Sequence, residues 1–301
     1  MKQALLNLLF SLIAFSIAYS IALLTGLQVI QQAVLIAFLI QWLLFIPAYY
    51  FQTEKFYDLT GSVTYLFIVI YISFQSYSAI NVNMGSILLA SCIIVWAIRL
   101  GSFLFTRVQK SGEDKRFASI KPSPTRFFMA WTFQGMWVSL CSMCALTAIA
   151  SKNGVVQNSF FYVGMFVFIF GFVVEMIADW QKSIFRKNPE NKNQFISHGL
   201  WSYSRHPNYF GEITLWLGIS IMSFSSLSSW QYITLISPLF TYILLVYISG
   251  VRILEISGME KWGHLDNYQA YLRTTPSLFP YSKPIKKKIV NIVFTTDSTN
   301  F

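Results

Sequence analysis

Long apolar runs alternate with short polar stretches along this chain. Each run is close to the ~20 residues that an α-helix needs to cross ~30 Å of hydrocarbon. The runs cover residues 4–25, 28–51, 62–80, 86–107, 128–150, 159–180, 208–227 and 230–251. The pattern predicts an all-α fold, a polytopic transmembrane helix bundle of eight spans. Because 62–80 and 208–227 become rich in serine toward their ends, seven spans is the alternative count.

The composition supports a membrane protein over a large soluble core. Of 301 residues, 55% are hydrophobic and only 11% are charged, against about 25% charged residues in soluble domains. The first run lacks a basic n-region and a small-residue cleavage site, so we read it as a span rather than a signal sequence. We predict one transmembrane domain over residues 1–282, followed by a basic and polar tail, 283–301, on the lipid headgroups.

The net charge of +10 reports topology rather than nucleic-acid binding. Nineteen of the 22 basic residues fall in three segments, Arg99–Arg126, Lys182–Arg205 and Arg252–Lys288. With eight spans, these segments follow spans four, six and eight and share one side. The positive-inside rule then predicts that they and both termini are cytoplasmic, which suits a bacterial inner membrane. Membrane lipids and an anionic ligand are the partners that remain.

The three cysteines do not form a metal site. Cys92, Cys141 and Cys144 all lie inside predicted spans, and the single C-x-x-C spacing has no second pair and no histidine near it. We predict that they are small packing residues and that the protein holds no metal.

Four ionisable residues lie inside spans at similar depth, toward the predicted cytoplasmic face: Arg99, Glu175, Asp179 and Glu212. Each costs roughly 2.5–3.5 kcal/mol to insert, so such residues normally face a cavity or a partner. They are the main physical indication of a functional site.

Helical spacing extends this set of charges. Arg99 and Arg107 share one face of span four, and Pro207 suits the first turn of span seven, which places Asn208 at a helix N-terminus. Arginines and a helix N-terminus suit phosphate, while carboxylates accept from hydroxyls and amides. The pattern therefore favours a ligand that carries phosphate and ribose. The alternatives are arginines that snorkel to headgroups, plain salt bridges, interfacial tyrosines and a helix-capping histidine.

The stretch Gly199-Leu-Trp-Ser-Tyr-Ser-Arg-His-Pro-Asn-Tyr-Phe-Gly-Glu212 resembles the signature of the steroid 5-alpha-reductase superfamily. Asp179 with Arg186, the ending Asp266–Tyr271 followed by Thr275–Pro280, and the segment Phe56–Gly61 resemble it as well, closest to a bacterial membrane branch. The Arg-His-Pro element is shared with isoprenylcysteine carboxyl methyltransferases. The resemblance covers roughly residues 50–282.

This resemblance implies a seven-helix transmembrane bundle, here with one extra N-terminal helix, that holds NADPH in its cytoplasmic half. No G-x-G-x-x-G follows a strand, so the helices themselves would have to bind the dinucleotide. The candidate cofactor-binding residues are Arg99, Arg107, Glu175, Asp179, Arg186, Tyr203, Arg205, His206, Asn208, Tyr209, Glu212 and Arg252.

The reaction that the resemblance implies is reduction of a carbon–carbon double bond conjugated to a carbonyl in a lipophilic, steroid-like or other lipid substrate. In the steroid enzymes an early glutamate and a tyrosine hold the carbonyl oxygen. The corresponding candidates in this sequence are Asp58, Glu54 and Trp96, with Asp58 the predicted proton donor if burial among aromatics raises its pKa. Trp96 replaces the tyrosine, and an indole N–H donates a hydrogen bond but transfers no proton.

Two other functions compete with the reductase. The first is an S-adenosylmethionine-dependent membrane methyltransferase, which would share the Arg-His-Pro element but needs no arginine set for a pyrophosphate. The second is a transporter or lipid-binding scaffold, which would have charges spread through the membrane midplane.

Glu175 and Gln194 depart from the residues of the steroid enzymes at these positions, and they leave details of cofactor binding open.

Overall fold

The computed structural model describes residues 2–79 and 83–280, and this part of the chain contains helices and no strand. The predicted tail, 283–301, lies outside the described residues. The α-helices are α1 Lys2–Leu24, α2 Gln28–Tyr50, α3 Tyr57–Ala79, α4 Met84–Ser111, α5 Pro124–Ile149, α6 Ser159–Lys187, α7 Pro207–Ser223, α8 Ser237–Ile243, α9 Val251–Trp262 and α10 Asp266–Thr274. The all-α prediction is confirmed.

Seven helical stretches among the described residues are long and apolar enough to cross a membrane, as in an integral multi-pass membrane protein. They comprise the helices α1 to α6 and the stretch Ser229–Trp262. The seventh predicted span, 208–227, is not among them, because α7 ends at Ser223 and the serine-rich exit forms a 3-10 turn over Phe224–Ser226. Length and composition thus identify seven candidate spans among the described residues. The number of spans and the cytoplasmic side of the basic segments stay predictions.

The last stretch is not one regular helix. A 3-10 segment over Ser229–Ile236 leads into α8, a π-helical turn over Leu244–Ile248 follows, and α9 continues to Trp262. The predicted end at residue 251 was too early, because Arg252 ends the apolar run but not the helical backbone.

The chain contacts divide into two compact units. The first unit runs up to Phe172 and includes Ile213–Ile243; the second comprises Val173–Glu212 and the chain from Leu244 onward. The prediction of a single bundle domain stays a prediction, and each unit is described on its own.

Helix α5 is the centre of the first unit. It packs against α1, α2, α3, α4 and α8, and most of its residues are buried. Two of its buried side chains meet hydroxyls of other helices: the Cys141 thiol lies 3.2 Å from the Thr241 hydroxyl, and the Cys144 thiol lies 3.4 Å from the Ser220 hydroxyl. Both cysteines thus pack as thiols among small hydroxyls.

Glycines allow two helices of the first unit to approach closely. A Cβ atom on Gly164 of α6 would lie 2.6 Å from the Gly218 carbonyl oxygen of α7, and a Cβ on Gly218 would lie 2.7 Å from the Gly164 carbonyl oxygen. Small residues are common where membrane helices pack backbone to backbone. A side chain at either position would push the two helices apart.

The second unit has a small core of its own beneath the segment that precedes α7. Trp201 is 3% exposed, and its indole N–H donates to the Ala178 carbonyl at 3.1 Å. The Tyr271 hydroxyl of α10 donates to the Trp201 carbonyl at 2.6 Å. Gly199 begins this segment with a φ of 62°, a conformation that side chains other than glycine adopt rarely. These contacts fix the backbone that leads into α7.

Candidate functional site

The second unit brings together four of the predicted cofactor residues. Asn208 Nδ2 donates to Asp179 Oδ1 at 3.3 Å, joining the first turn of α7 to α6. Glu175 lies one turn before Asp179 on α6, and Glu212 lies one turn after Asn208 on α7, so each pair shares a helix face. The three carboxylates are only 2–5% exposed. We call Glu175, Asp179, Asn208 and Glu212 the acid–amide set.

Arg205, just before α7, binds the protein itself through most of its guanidinium group. Nε and Nη2 donate to the two carboxylate oxygens of Glu255 at 2.9 Å each, and Nη1 donates to the carbonyls of Leu272 and Thr275 at 3.0 and 2.6 Å. Planar bidentate bonds of this kind fix geometry as well as charge. Arg205 therefore ties the entry of α7 to α9 and to the end of α10, and its predicted cofactor contact stays a prediction.

His206 completes this junction. Its Nε2 lies 2.8 Å from Glu255 Oε1, and its ring stacks on Tyr209 with centroids 5.8 Å apart. Burial lowers the pKa of His206 below its ordinary value, and this effect outweighs the neighbouring Glu255 carboxylate, which raises it. Imidazole Nδ1 is buried without a hydrogen-bond partner among the described residues. The imidazole at this place joins Glu255 to the first turn of α7.

The other predicted contacts in the second unit are more exposed. Arg186 and Arg252 lie at the surface, and Tyr203 is 66% exposed. Lys182, which was not among the predicted contacts, has its ammonium 4.4 Å from the centroid of the Trp201 ring. The unit thus combines buried acceptors and an amide with guanidinium groups at its surface. These side-chain types suit the hydroxyls and amide of a dinucleotide on one hand and its phosphates on the other.

In the first unit, charged residues gather where α3 begins and α4 ends. Asp58 Oδ2 lies 3.3 Å from Arg116 Nη2 and 3.8 Å from Arg107 Nη2. Arg116 also binds Asp114, with its Nε donating to Asp114 Oδ2 at 2.9 Å. Asp58 therefore lies beside two guanidinium groups, and its role as proton donor stays a prediction. We call Asp58, Arg107, Asp114 and Arg116 the charge cluster.

Glu54 anchors the loop between α4 and α5. One carboxylate oxygen accepts from the Asp114 backbone N–H at 2.8 Å, and the other binds the Lys121 ammonium. Burial would raise the pKa of Glu54, but the bonds from Lys121 and Asp114 hold the pKa below its ordinary value. Both oxygens are thus bonded to the protein.

Trp96 lies in different surroundings. Its ring meets Tyr65 edge to face at 5.1 Å between centroids and Trp216 at 4.9 Å. Tyr65 is two helical turns beyond Asp58 along α3, about 10 Å at 1.5 Å per residue. Trp96 is therefore deeper along the helices than Asp58. Arg99, one turn further along α4, has its guanidinium carbon 5.4 Å from the centroid of the Phe103 ring.

The structure divides the predicted cofactor residues between the units. Arg99 and Arg107 belong to the first unit and the rest to the second, so their convergence stays a prediction. The sequence analysis missed Glu255, Lys121, Tyr65 and Trp216. Glu255 alone carried a signal, as an acidic residue at the end of an apolar run; the others meet their partners across long sequence separations that no local pattern encodes.

Two curated relatives match part of the chain. The "Probable O-methyltransferase ustE" of Ustilaginoidea virens is 32% identical over 102 residues, 29% of this chain and 36% of that protein. The "Delta(14)-sterol reductase" of Arabidopsis thaliana is 30% identical over 131 residues, 40% of this chain and 33% of that protein. The chain thus spans about a third of each relative's length. No solved structure matches the chain.

A family model described as "Protein of unknown function (DUF1295)" matches residues 44–275, roughly three quarters of the chain. This range includes the acid–amide set, the charge cluster and the segment Gly199–Glu212. The superfamily that these residues indicated is thereby confirmed, and the bacterial branch stays a prediction. The chain belongs to this DUF1295 family, which is part of the steroid 5-alpha-reductase-like superfamily.

Proposed function

We propose that this protein is a membrane-embedded reductase that uses NADPH to saturate a carbon–carbon double bond conjugated to a carbonyl in a lipophilic substrate. The family and the similarity to a sterol reductase support an enzyme of this kind. Entry of the substrate from the bilayer, and a cofactor site on the cytoplasmic side of a bacterial inner membrane, are parts of the same proposal.

The observation that carries the proposal is the acid–amide set. Carboxylates buried to 2–5% exposure within apolar helices are expensive to maintain. The Asn208–Asp179 bond holds two of its members in register. Such a set suits a ligand rich in hydroxyl and amide donors, as the ribose and nicotinamide groups of NADPH are. Arg186 and Arg252 are the surface guanidinium groups of the same unit that suit its phosphates.

When bound, NADPH supplies a hydride, and the reduced product gains this hydride at the β-carbon and a proton at the α-carbon. The chain's own residues orient the enone and exclude water. Of the three residues predicted at the carbonyl, Glu54 is bonded to Lys121 and Asp114, whereas Trp96 lies among apolar aromatic rings. A lipophilic enone therefore suits the surroundings of Trp96 best. Asp58 stays the predicted proton donor.

The second candidate is a methyltransferase that uses S-adenosylmethionine, and the similarity to a probable O-methyltransferase favours it. It shares the Arg205-His206-Pro207 element. S-adenosylmethionine carries a sulfonium cation and no phosphate, so it gives surface arginines no anion to bind. Arg186 and Arg252 therefore distinguish the two cofactors by charge.

The two functions are separated by nucleotide binding to the purified protein in detergent. We expect NADPH to raise the melting temperature and to bind with an affinity that falls when salt screens its phosphates. S-adenosylmethionine is titrated in parallel. Arg186→Gln with Arg252→Gln should weaken NADPH more than an NADPH analogue without the 2′-phosphate. Binding of S-adenosylmethionine alone would transfer the proposal to the methyltransferase.

A further inference from the structure

Three aromatic side chains from three helices of the first unit form a buried cluster. Tyr65 of α3, Trp96 of α4 and Trp216 of α7 are 4%, 2% and 1% exposed. Besides the two edge-to-face contacts of Trp96, the rings of Tyr65 and Trp216 lie 5.8 Å apart with an interplanar angle of 30°. We call these three residues the aromatic cluster.

The cluster contains a polar hydrogen that the protein leaves without an acceptor. The indole Nε1 of Trp216 is fully buried and has no hydrogen-bond partner among the described residues. The Tyr65 hydroxyl nearby reaches the Trp137 carbonyl at 3.5 Å, which is at the long limit for a hydrogen bond. A phenylalanine at position 216 would fill similar space without burying an N–H group, which is costly when it has no acceptor. The indole N–H is therefore the part of this side chain that packing does not explain.

We propose that Trp216 and Tyr65 bind the carbonyl oxygen of the lipophilic substrate, with the rings of the aromatic cluster packed against its flat conjugated system. The identity of the ligand as an enone rests on the proposed function. The binding chemistry rests on the cluster itself. An oxygen acceptor satisfies the Trp216 N–H, and the Tyr65 hydroxyl can donate to this oxygen in place of the Trp137 carbonyl. Flat unsaturated groups also pack well on aromatic faces. Both residues are substrate-contacting groups that hold the oxygen and transfer no proton.

One other arrangement accounts for the indole N–H. Trp216 meets Trp96 at an interplanar angle of 79°, and an N–H directed at an aromatic face gains a weak contact. In that case Trp216 is a packing residue, and its N–H has no effect on an oxygen-bearing ligand in particular. The two arrangements therefore differ in whether the protein distinguishes a ketone from the matching hydrocarbon.

The test compares two probes on three proteins. The probes are cholest-4-en-3-one, a lipophilic enone, and cholest-4-ene, which lacks the oxygen. The proteins are the wild type, Trp216→Phe and the matched control Trp131→Phe. Trp131 is also 1% exposed and its Nε1 also has no partner among the described residues, but it packs against Tyr57 and Phe127.

We expect the wild type to bind the ketone about fivefold more tightly than the hydrocarbon, the factor that one net hydrogen bond gives. Trp216→Phe should lose most of this preference, and Trp131→Phe should keep it. The infrared carbonyl stretch of bound ketone should lie lower in the wild type than in Trp216→Phe, because donated hydrogen bonds weaken the C=O bond. Tyr65→Phe should also raise the frequency of the carbonyl stretch relative to the wild type. It replaces Trp216→Phe in the test if that variant fails to fold.

Equal affinity of the wild type for the two probes would overturn the inference. An equal loss of the preference for the ketone in Trp216→Phe and Trp131→Phe would overturn it as well. NADPH affinity is measured on the same samples without either probe. Intact preference for the ketone with no NADPH binding would defeat the proposed function and leave this site standing. NADPH binding with no preference for the ketone would overturn the carbonyl site and leave the proposed function standing.

Discussion

Removal of the Glu255 carboxylate should loosen the entry of α7. In the folded protein this one side chain accepts two bonds from Arg205 at 2.9 Å and lies 2.8 Å from His206 Nε2. The Arg205 side chain is 12% exposed. Glu255→Ala removes its carboxylate partner and leaves its bonds to the carbonyls of Leu272 and Thr275. Breaking a buried pair in this way costs about 3–5 kcal/mol.

The 28% exposure of the Glu255 side chain lets water screen part of this charge, so we expect about 2–4 kcal/mol. The assay is thermal unfolding in detergent, followed by tryptophan fluorescence. Glu260→Ala, an exposed carboxylate on the same helix, is the matched control. The loss of unfolding free energy in the double variant Arg205→Ala with Glu255→Ala should be smaller than the sum of the losses in the two single variants by at least about 1 kcal/mol.

The same variant tests whether this junction positions the acid–amide set. Asn208 follows His206 by two residues, so a looser junction should weaken NADPH binding about tenfold, or 1.4 kcal/mol. A melting temperature and an NADPH affinity for Glu255→Ala that both equal those of Glu260→Ala would refute the reasoning. Weak NADPH binding with normal stability would instead indicate that Glu255 acts on the ligand directly.

The other predictions concern single side chains. Asn208→Ala should weaken NADPH binding more than tenfold by removing the amide that bonds Asp179; equilibrium titration checks this, with exposed Asn267→Ala as the control. Asp58→Asn should lower turnover while NADPH affinity stays within about twofold, and normal turnover would place the proton donor elsewhere. The pKa of His206 is lowered in the folded state, so its contribution to stability is full above its ordinary pKa and is lost as the pH falls through the lowered value. We therefore expect the melting temperature to drop between about pH 7.5 and 5.5 and the drop to shrink in His206→Gln. Lys121→Met should destabilise the protein by about 2–4 kcal/mol in a thermal melt, because it removes the cation beside a buried carboxylate, whereas Lys110→Met at the surface should not.

Hydropathy was sufficient for the regular helices of this fold. The predicted runs 28–51 and 159–180 begin where α2 and α6 begin, because uninterrupted apolar residues bounded by polar ones define a span by the thickness of the bilayer. The same signal failed where the backbone departs from α-helix. The 3-10 turn after α7 and the π-helical turn before α9 both lie within runs that were predicted as regular spans.

For the site, the sequence located residues but not their partners. Glu175, Asp179, Asn208 and Glu212 were identified by charge within apolar runs and by four-residue spacing, and the structure joins two of them by a hydrogen bond. The bond between Glu54 and Lys121 spans 67 positions along the chain, and such a pairing is set by tertiary packing. The guanidinium neighbours of Asp58, Arg107 and Arg116, likewise come from distant positions in the sequence.

The burial of α5 has a consequence for how the protein is made. Its Cys141 carbonyl accepts from the Ser237 hydroxyl, and its Cys141 thiol meets Thr241, so the groups that satisfy it are synthesised almost a hundred residues later. Until α8 arrives, α5 enters the membrane with self-contained bonds such as that from Ser142 Oγ to the Val138 carbonyl at 2.7 Å. The contacts of α5 with Ser237 and Thr241 therefore form only after α8 has been synthesised.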